Sequence, residues 1–208
     1  MGMKSSPVPY CYPVQPHVRK HGPFGYKHWD DYREWLRDDF EFRCVYCLRR
    51  EVWDRKRALW AVEHLIPRAT APHRALDYTN LVYACVLCNS AKSAQLVPDP
   101  CQYAYGKLVS VTEDGRIHAL NAEGQRLIRS AALDEEDLVR FREERIALLR
   151  NYKKHEPERY RAAMGFPEDL PDLEGKKPPG GNTKSDGAKN CRHRQRLNGT
   201  LPLILELA

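Results

Sequence analysis

Two Cys-x-x-Cys pairs, Cys44-Val45-Tyr46-Cys47 and Cys85-Val86-Leu87-Cys88, stand 37 residues apart (positions 48 to 84). A Cys-x-x-Cys turn presents two thiolates from one short loop, and zinc takes four nitrogen or sulfur ligands in a tetrahedron. One such pair alone also suits redox chemistry, whereas two pairs point to a single four-thiolate zinc site on Cys44, Cys47, Cys85 and Cys88. With sulfur in all four positions no place is left for water, so this ion staples the fold and does no catalysis. The alternative is two unrelated buried turns with free thiols. Cys11, Cys101 and Cys191 fall outside the pattern.

The insert between the pairs carries Val62-Glu63-His64-Leu65-Ile66-Pro67, and the second pair runs directly into Asn89-Ser90-Ala91-Lys92. A lone histidine is more often structural than catalytic. His64, however, follows an acidic residue near a cysteine pair, and imidazole titrates close enough to neutral pH to act as a general base. Hydrolysis of a phosphodiester also needs a divalent cation to neutralise charge on the scissile phosphate. A hard ion such as Mg²⁺ takes oxygen ligands and keeps several waters. Glu63 and Asn89 offer it a carboxylate and an amide oxygen.

Taken together, Glu63-His64, Asn80-Leu81 and Cys85-x-x-Cys88-Asn89-x-x-Lys92 resemble the HNH endonuclease superfamily with its ββα-metal core, over residues 44–92. The resemblance implies His64 as the base that activates water and Glu63 as a ligand of the divalent ion. It implies Asn80 as the residue that constrains the loop and orients the base. Asn89 becomes the second metal ligand, nine residues after Asn80. Lys92 is then a helix lysine that lies near the phosphate or is structural. The family often has Asp where Glu63 stands, one methylene shorter. Asn89 replaces a frequent His, which favours Mg²⁺ or Mn²⁺ over a softer ion. The products implied are 5′-phosphate and 3′-hydroxyl ends.

These residues need elements to hold them. Trp29, Tyr32, Trp35, Leu36 and Phe40 give His28–Phe40 one apolar helical face, with Arg37 and Asp38 on the polar face. Leu59–Leu65 reads as a strand ended by Pro67, residues 68–79 as a loop, and Asn89–Leu96 as a helix. Between 107 and 128, turns at Asp114-Gly115 and Glu123-Gly124 suggest a β-meander. A helix with Asp134 as N-cap is expected to run to about Tyr152, with Leu138, Phe141, Ile146, Leu149 and Tyr152 as its stripe. The fold class expected is α+β: a small zinc-stapled ββα-metal core with flanking helices and a short antiparallel meander. The divisions are an irregular arm (1–27), the nuclease domain (28–100), a meander plus long helix (101–166) and a disordered basic tail (167–208). The arm's Tyr10, Tyr12, Phe24 and Tyr26 either dock it or are incidental.

Across 208 residues the net charge is +6, with 42% hydrophobic and 30% charged residues. The basic excess suits a polyanion, and double-stranded DNA is the expected partner, with a homodimer as the route to double-strand cutting. Arg49, Arg50, Arg55, Lys56 and Arg57 form the densest basic run, and Arg68 and His73 sit in the loop before Asn80. Phosphate contacts of this kind hold nucleic acid without reading its sequence. No apolar run reaches the length of a membrane span, and no signal-like segment opens the chain, so a cytoplasmic setting is expected. Two other readings share this chemistry: an RNA nuclease, and a non-catalytic zinc module that binds nucleic acid or protein. The second makes Glu63, His64 and Asn89 dispensable.

Overall fold

The computed structural model describes residues 6–54 and 59–205. At its centre, β2 (Trp60–His64) pairs antiparallel with β3 (Leu81–Cys85), Trp60 opposite Cys85 and His64 opposite Leu81. Side chains alternate along a strand, so His64 shares a face with Val62 and Trp60 while Glu63 points to the other face. All five β3 residues are buried. The chain then passes straight into α2 (Val86–Lys92). This helix begins three residues earlier than the expected Asn89 and stops at Lys92, not Leu96. Cys85 is extended and lies just before the first turn, which therefore carries Cys88, and Ser93 at φ 48° ends the helix.

The first knuckle closes by a Leu48 N–H bond to the Cys44 carbonyl (3.0 Å), with Leu48 itself at φ 58°. Val45 N–H donates to the Tyr83 carbonyl (3.0 Å), which ties the knuckle to β3. The expected first helix is a 3₁₀ turn (Trp29–Tyr32) leading into α1 (Arg33–Asp39). Trp35 and Leu36 are buried as the apolar stripe requires, but so are Arg37, Asp38 and Asp39. That polar face is covered by the chain's two ends. His21 Nε2 lies 2.8 Å from Asp38 Oδ2, and Lys20 N–H donates to Asp39 Oδ1 (2.6 Å). The arm's aromatics dock: Tyr10 and Tyr12 are buried, and the Tyr12 hydroxyl donates to the Tyr46 carbonyl (2.6 Å).

In the second half, β4 (Val109–Val111) and β5 (Ile117–Ala119) form a hairpin around Asp114-Gly115, with Gly115 at φ 76° as the turn demands. The second expected turn is instead the start of a helix, α3 (Ala122–Ser130). Asn121 caps it by accepting from Gly124 N–H, so Glu123-Gly124 is a first helical turn. The long helix α4 spans Glu136–His155, and α5 (Pro157–Met164) follows, opened by its proline. The buried face of α4 includes Arg142, absent from the expected stripe. Arg142 donates to the carbonyls of Gly115 (2.6 Å) and Leu133 (2.8 Å).

Residues 167–205, expected as a disordered tail, fold back across the molecule. β6 (Gly181–Asn182) pairs with β1 (Pro23–Phe24), and α6 (Ser185–Lys189) and α7 (Arg192–Leu197) follow. Composition misses this because the partners lie far away in sequence: Arg192 N–H donates to Asp38 Oδ1 (2.8 Å), its guanidinium grips Glu41, and Cys191 is buried. The architecture is α+β, with helices and, among the described residues, three two-stranded antiparallel sheets. No helix among the described residues is long and apolar enough to cross a membrane.

Candidate active site

The four sulfurs of Cys44, Cys47, Cys85 and Cys88 lie within 4.8 Å of one another and all four residues are buried. Sulfurs about 2.3 Å from a central tetrahedral ion stand about 3.8 Å apart. Cys47 and Cys85 Sγ are separated by 3.7 Å. Contacts with Cys44, Cys47 and Cys88 hold Cys85 far below the usual thiol range, and contacts with Cys44 and their neighbours push Cys47 and Cys88 up. Four thiolates coexist there only around a cation. Donor type, spacing and burial all fit structural zinc.

At the other end of β2 from Trp60, the partner of Cys85, His64 Nε2 lies 3.0 Å from the Ala75 carbonyl. A carbonyl oxygen only accepts, so Nε2 carries the proton and Nδ1 keeps its lone pair. Burial lowers the His64 pKa below 6.5, and the nearby charges of Arg68 and Lys92 lower it further against the Ala75 bond. The ring is therefore neutral at neutral pH. Trp29 packs edge-on against it, centroids 5.8 Å apart. Glu63, the preceding residue, is 6% exposed, and Lys92 Nζ sits 2.7 Å from its Oε1. Burial raises the Glu63 pKa and the bond from Lys92 opposes that rise. The same Nζ donates to the His64 carbonyl (2.8 Å).

Asn80 fastens the loop that supplies Ala75. Its Oδ1 accepts from Ile66 N–H (2.9 Å), and its Nδ2 donates to the carbonyls of Ile66 (3.0 Å) and Arg74 (3.3 Å). Leu65 N–H adds a bond to the Asn80 carbonyl (2.9 Å). The loop is thereby held from both sides against the strand end that bears His64. Asn89 lies half-buried on α2, one turn before Lys92 and on the same side of the helix.

Residues 44–95 match the family model of the HNH endonucleases. The matched segment is 52 of 208 residues (44 to 95), so it speaks for the HNH core and not for the elements that wrap it. No curated protein matches the chain. Within the HNH segment, a β-hairpin and α2 bring Glu63, His64, Asn80 and Lys92 to one end of the hairpin, while Cys85, opposite Trp60, marks the other end. HNH domains work on nucleic acids and use divalent ions, so nuclease-type chemistry is the coarse assignment this match supports.

The basic residues divide. Arg49 is engaged by Asp54 (Nη2 to Oδ1, 2.7 Å) and lies over the Phe141 ring. Arg50 is 2% exposed and donates to the Met164 carbonyl (2.8 Å); burial pulls its pKa down to about 9. Both serve the fold, so the basic run is not a continuous outward face. Arg55, Lys56 and Arg57 lie outside the described residues. Arg68 is exposed and stacks over Trp29 at 4.1 Å, beside the HNH histidine, and His73 is exposed in the same loop. Lys92 is 0% exposed, and a phosphate contact would require it to move. Sequence reasoning missed the Ala75 carbonyl and Trp29. The first is a backbone atom that no residue type announces, and the second reads as part of an ordinary apolar helix face.

Proposed function

We propose that the chain is a metal-dependent endonuclease that hydrolyses DNA phosphodiester bonds at the end of β2, with His64 as general base. The observation that carries this reading is the His64 hydrogen bond to the Ala75 carbonyl, which fixes the tautomer with Nδ1 free to accept a proton. His64 Nδ1 takes the proton of a water aligned for in-line attack, and Asn80 keeps the loop and imidazole in register. Glu63 and Asn89 would hold the divalent ion, Mg²⁺ or Mn²⁺, which would supply charge neutralisation at the phosphate and the leaving 3′-oxygen. The donor set suits a hard ion, and Glu63 already has a cationic group at 2.7 Å. Arg68, exposed next to the His64 side chain, contacts the phosphate backbone, as do Arg55, Lys56 and Arg57. The zinc site keeps the two ends of the core together and takes no part in the reaction.

The test is plasmid cleavage by zinc-loaded protein with Mg²⁺, Mn²⁺ or EDTA, wild type against His64→Ala, with a parallel RNA substrate. Relaxed or linear DNA only with a divalent ion and only with His64 supports the reading. Cleavage of RNA alone moves the substrate class. A folded, zinc-bound protein that cuts neither sinks the nuclease reading and leaves a binding module.

A further inference from the structure

The Lys92 ammonium has an unusual position for a lysine. It is 0% exposed, at the last residue of α2, and its acceptors among the described residues are Glu63 Oε1 (2.7 Å) and the His64 carbonyl (2.8 Å). Buried lysines are rare unless paired, and here the pair is with the carboxylate proposed as a metal ligand. Asn89, the proposed second ligand, is one turn away on the same side of α2. Ammonium and divalent ion would thus compete for one carboxylate. They would also repel each other at close range.

We propose that Lys92 is a resident cation that neutralises Glu63 in the metal-free protein and is displaced when a divalent ion binds. This inference rests on the proposed role of Glu63 as metal ligand. It explains how a buried carboxylate is kept without metal: removing one partner of such a pair leaves an uncompensated charge, which is strongly destabilising. It also makes Lys92 a positioning residue. While paired, it pins the His64 backbone through the carbonyl, and on metal binding that restraint is released or re-formed. The net effect is to set a higher metal concentration for occupancy than Glu63 and Asn89 alone would need.

The experiment is Mn²⁺ binding to the full-length zinc-loaded chain, followed by the EPR signal of the free ion, for wild type, Lys92→Met and Lys92→Arg. Lys92→Met is expected to bind Mn²⁺ at least tenfold more tightly than wild type, and Lys92→Arg, which keeps the charge, within about threefold of wild type. Should Lys92→Met not fold without metal, the wild-type protein still decides the matter. The side-chain ammonium resonance of Lys92 is followed by NMR during Mg²⁺ titration, and it is expected to shift or exchange away as the ion saturates. Equal or weaker Mn²⁺ binding by Lys92→Met, or a Lys92 resonance unmoved by saturating Mg²⁺, overturns the displacement. Absence of any Mn²⁺ binding in all three proteins overturns the metal-ligand role of Glu63 as well, which separates the two failures.

Discussion

Asn80 and Ile66 are joined twice, once in each direction: Asn80 Oδ1 accepts from Ile66 N–H at 2.9 Å and Asn80 Nδ2 donates to the Ile66 carbonyl at 3.0 Å. The side chain thus replaces a missing rung of backbone pairing just beyond β2, where Pro67 turns the chain away. A third bond, to the Arg74 carbonyl, extends the clasp to the residue before Ala75.

Asn80→Ala is expected to cost about 2–3 kcal/mol, since it leaves backbone groups without partners. Cleavage should fall further, by roughly 10–100-fold at temperatures where the variant is folded, because the Ala75 carbonyl no longer holds the imidazole in line. Urea unfolding and single-turnover cleavage on the same preparations check both numbers. Asn80→Asp, which keeps the acceptor and loses both donors, should fall between the two.

One zinc per chain is expected, released by thiol-modifying reagents with a stoichiometry near one. Cys47→Ser or Cys88→Ser should lose the metal and the cooperative melt of the core together, since the four ligands tie the start of the HNH segment to its end. Loss of zinc with an unchanged melting curve would falsify the structural assignment.

Acid should weaken the fold before it reaches the carboxylate range. His17 stacks on Phe40 and is half-buried, and burial, with help from Arg19 and Lys20, brings its pKa down to about 3 even though Asp39 Oδ1 is 3.8 Å away. Between that value and the unfolded value near 6.5, the unfolded chain binds a proton that the native chain refuses. Stability is therefore full above pH 6.5 and declines as pH falls, by about 2 kcal/mol at pH 5. Asp39, whose pKa burial raises, acts with the opposite sign at lower pH. Chemical denaturation at pH 7, 6 and 5 should show the decline, and His17→Phe should remove much of it.

Arg192 locks the C-terminal segment through Glu41, with Nη2 at 2.8 Å from Oε1 and Nε at 3.1 Å from Oε2. The pair is less than one-fifth exposed on each side. Arg192→Ala is expected to cost about 1–2 kcal/mol locally and to open residues 167–205 to trypsin, with the HNH core remaining resistant. Limited proteolysis followed by mass spectrometry reads this directly; an unchanged digestion pattern would mean that α6 and α7 are held by other contacts.

The sequence by itself determined the donor set of the cysteine cluster. Cysteine spacing named the zinc ligands, because a two-residue gap in a knuckle brings thiolates together whatever surrounds it. Glu63-His64 and Asn80 stood out because each is a reactive or amide side chain at a spacing that a hairpin brings to one strand end. What only the tertiary structure decided was which polar groups are buried. Arg50 and Asp38 read as surface charges, since local periodicity cannot see a partner more than a hundred residues away such as Met164 or Arg192. Residues 167–205 read as disordered for the same reason: their apolar content is low, and their order comes from pairing with Phe24, Asp38 and Glu41. The contact of Lys92 with Glu63 belongs to this second class. A lysine on a helix is soluble by default, and only the packing of α2 against β2 turns it inward onto a carboxylate.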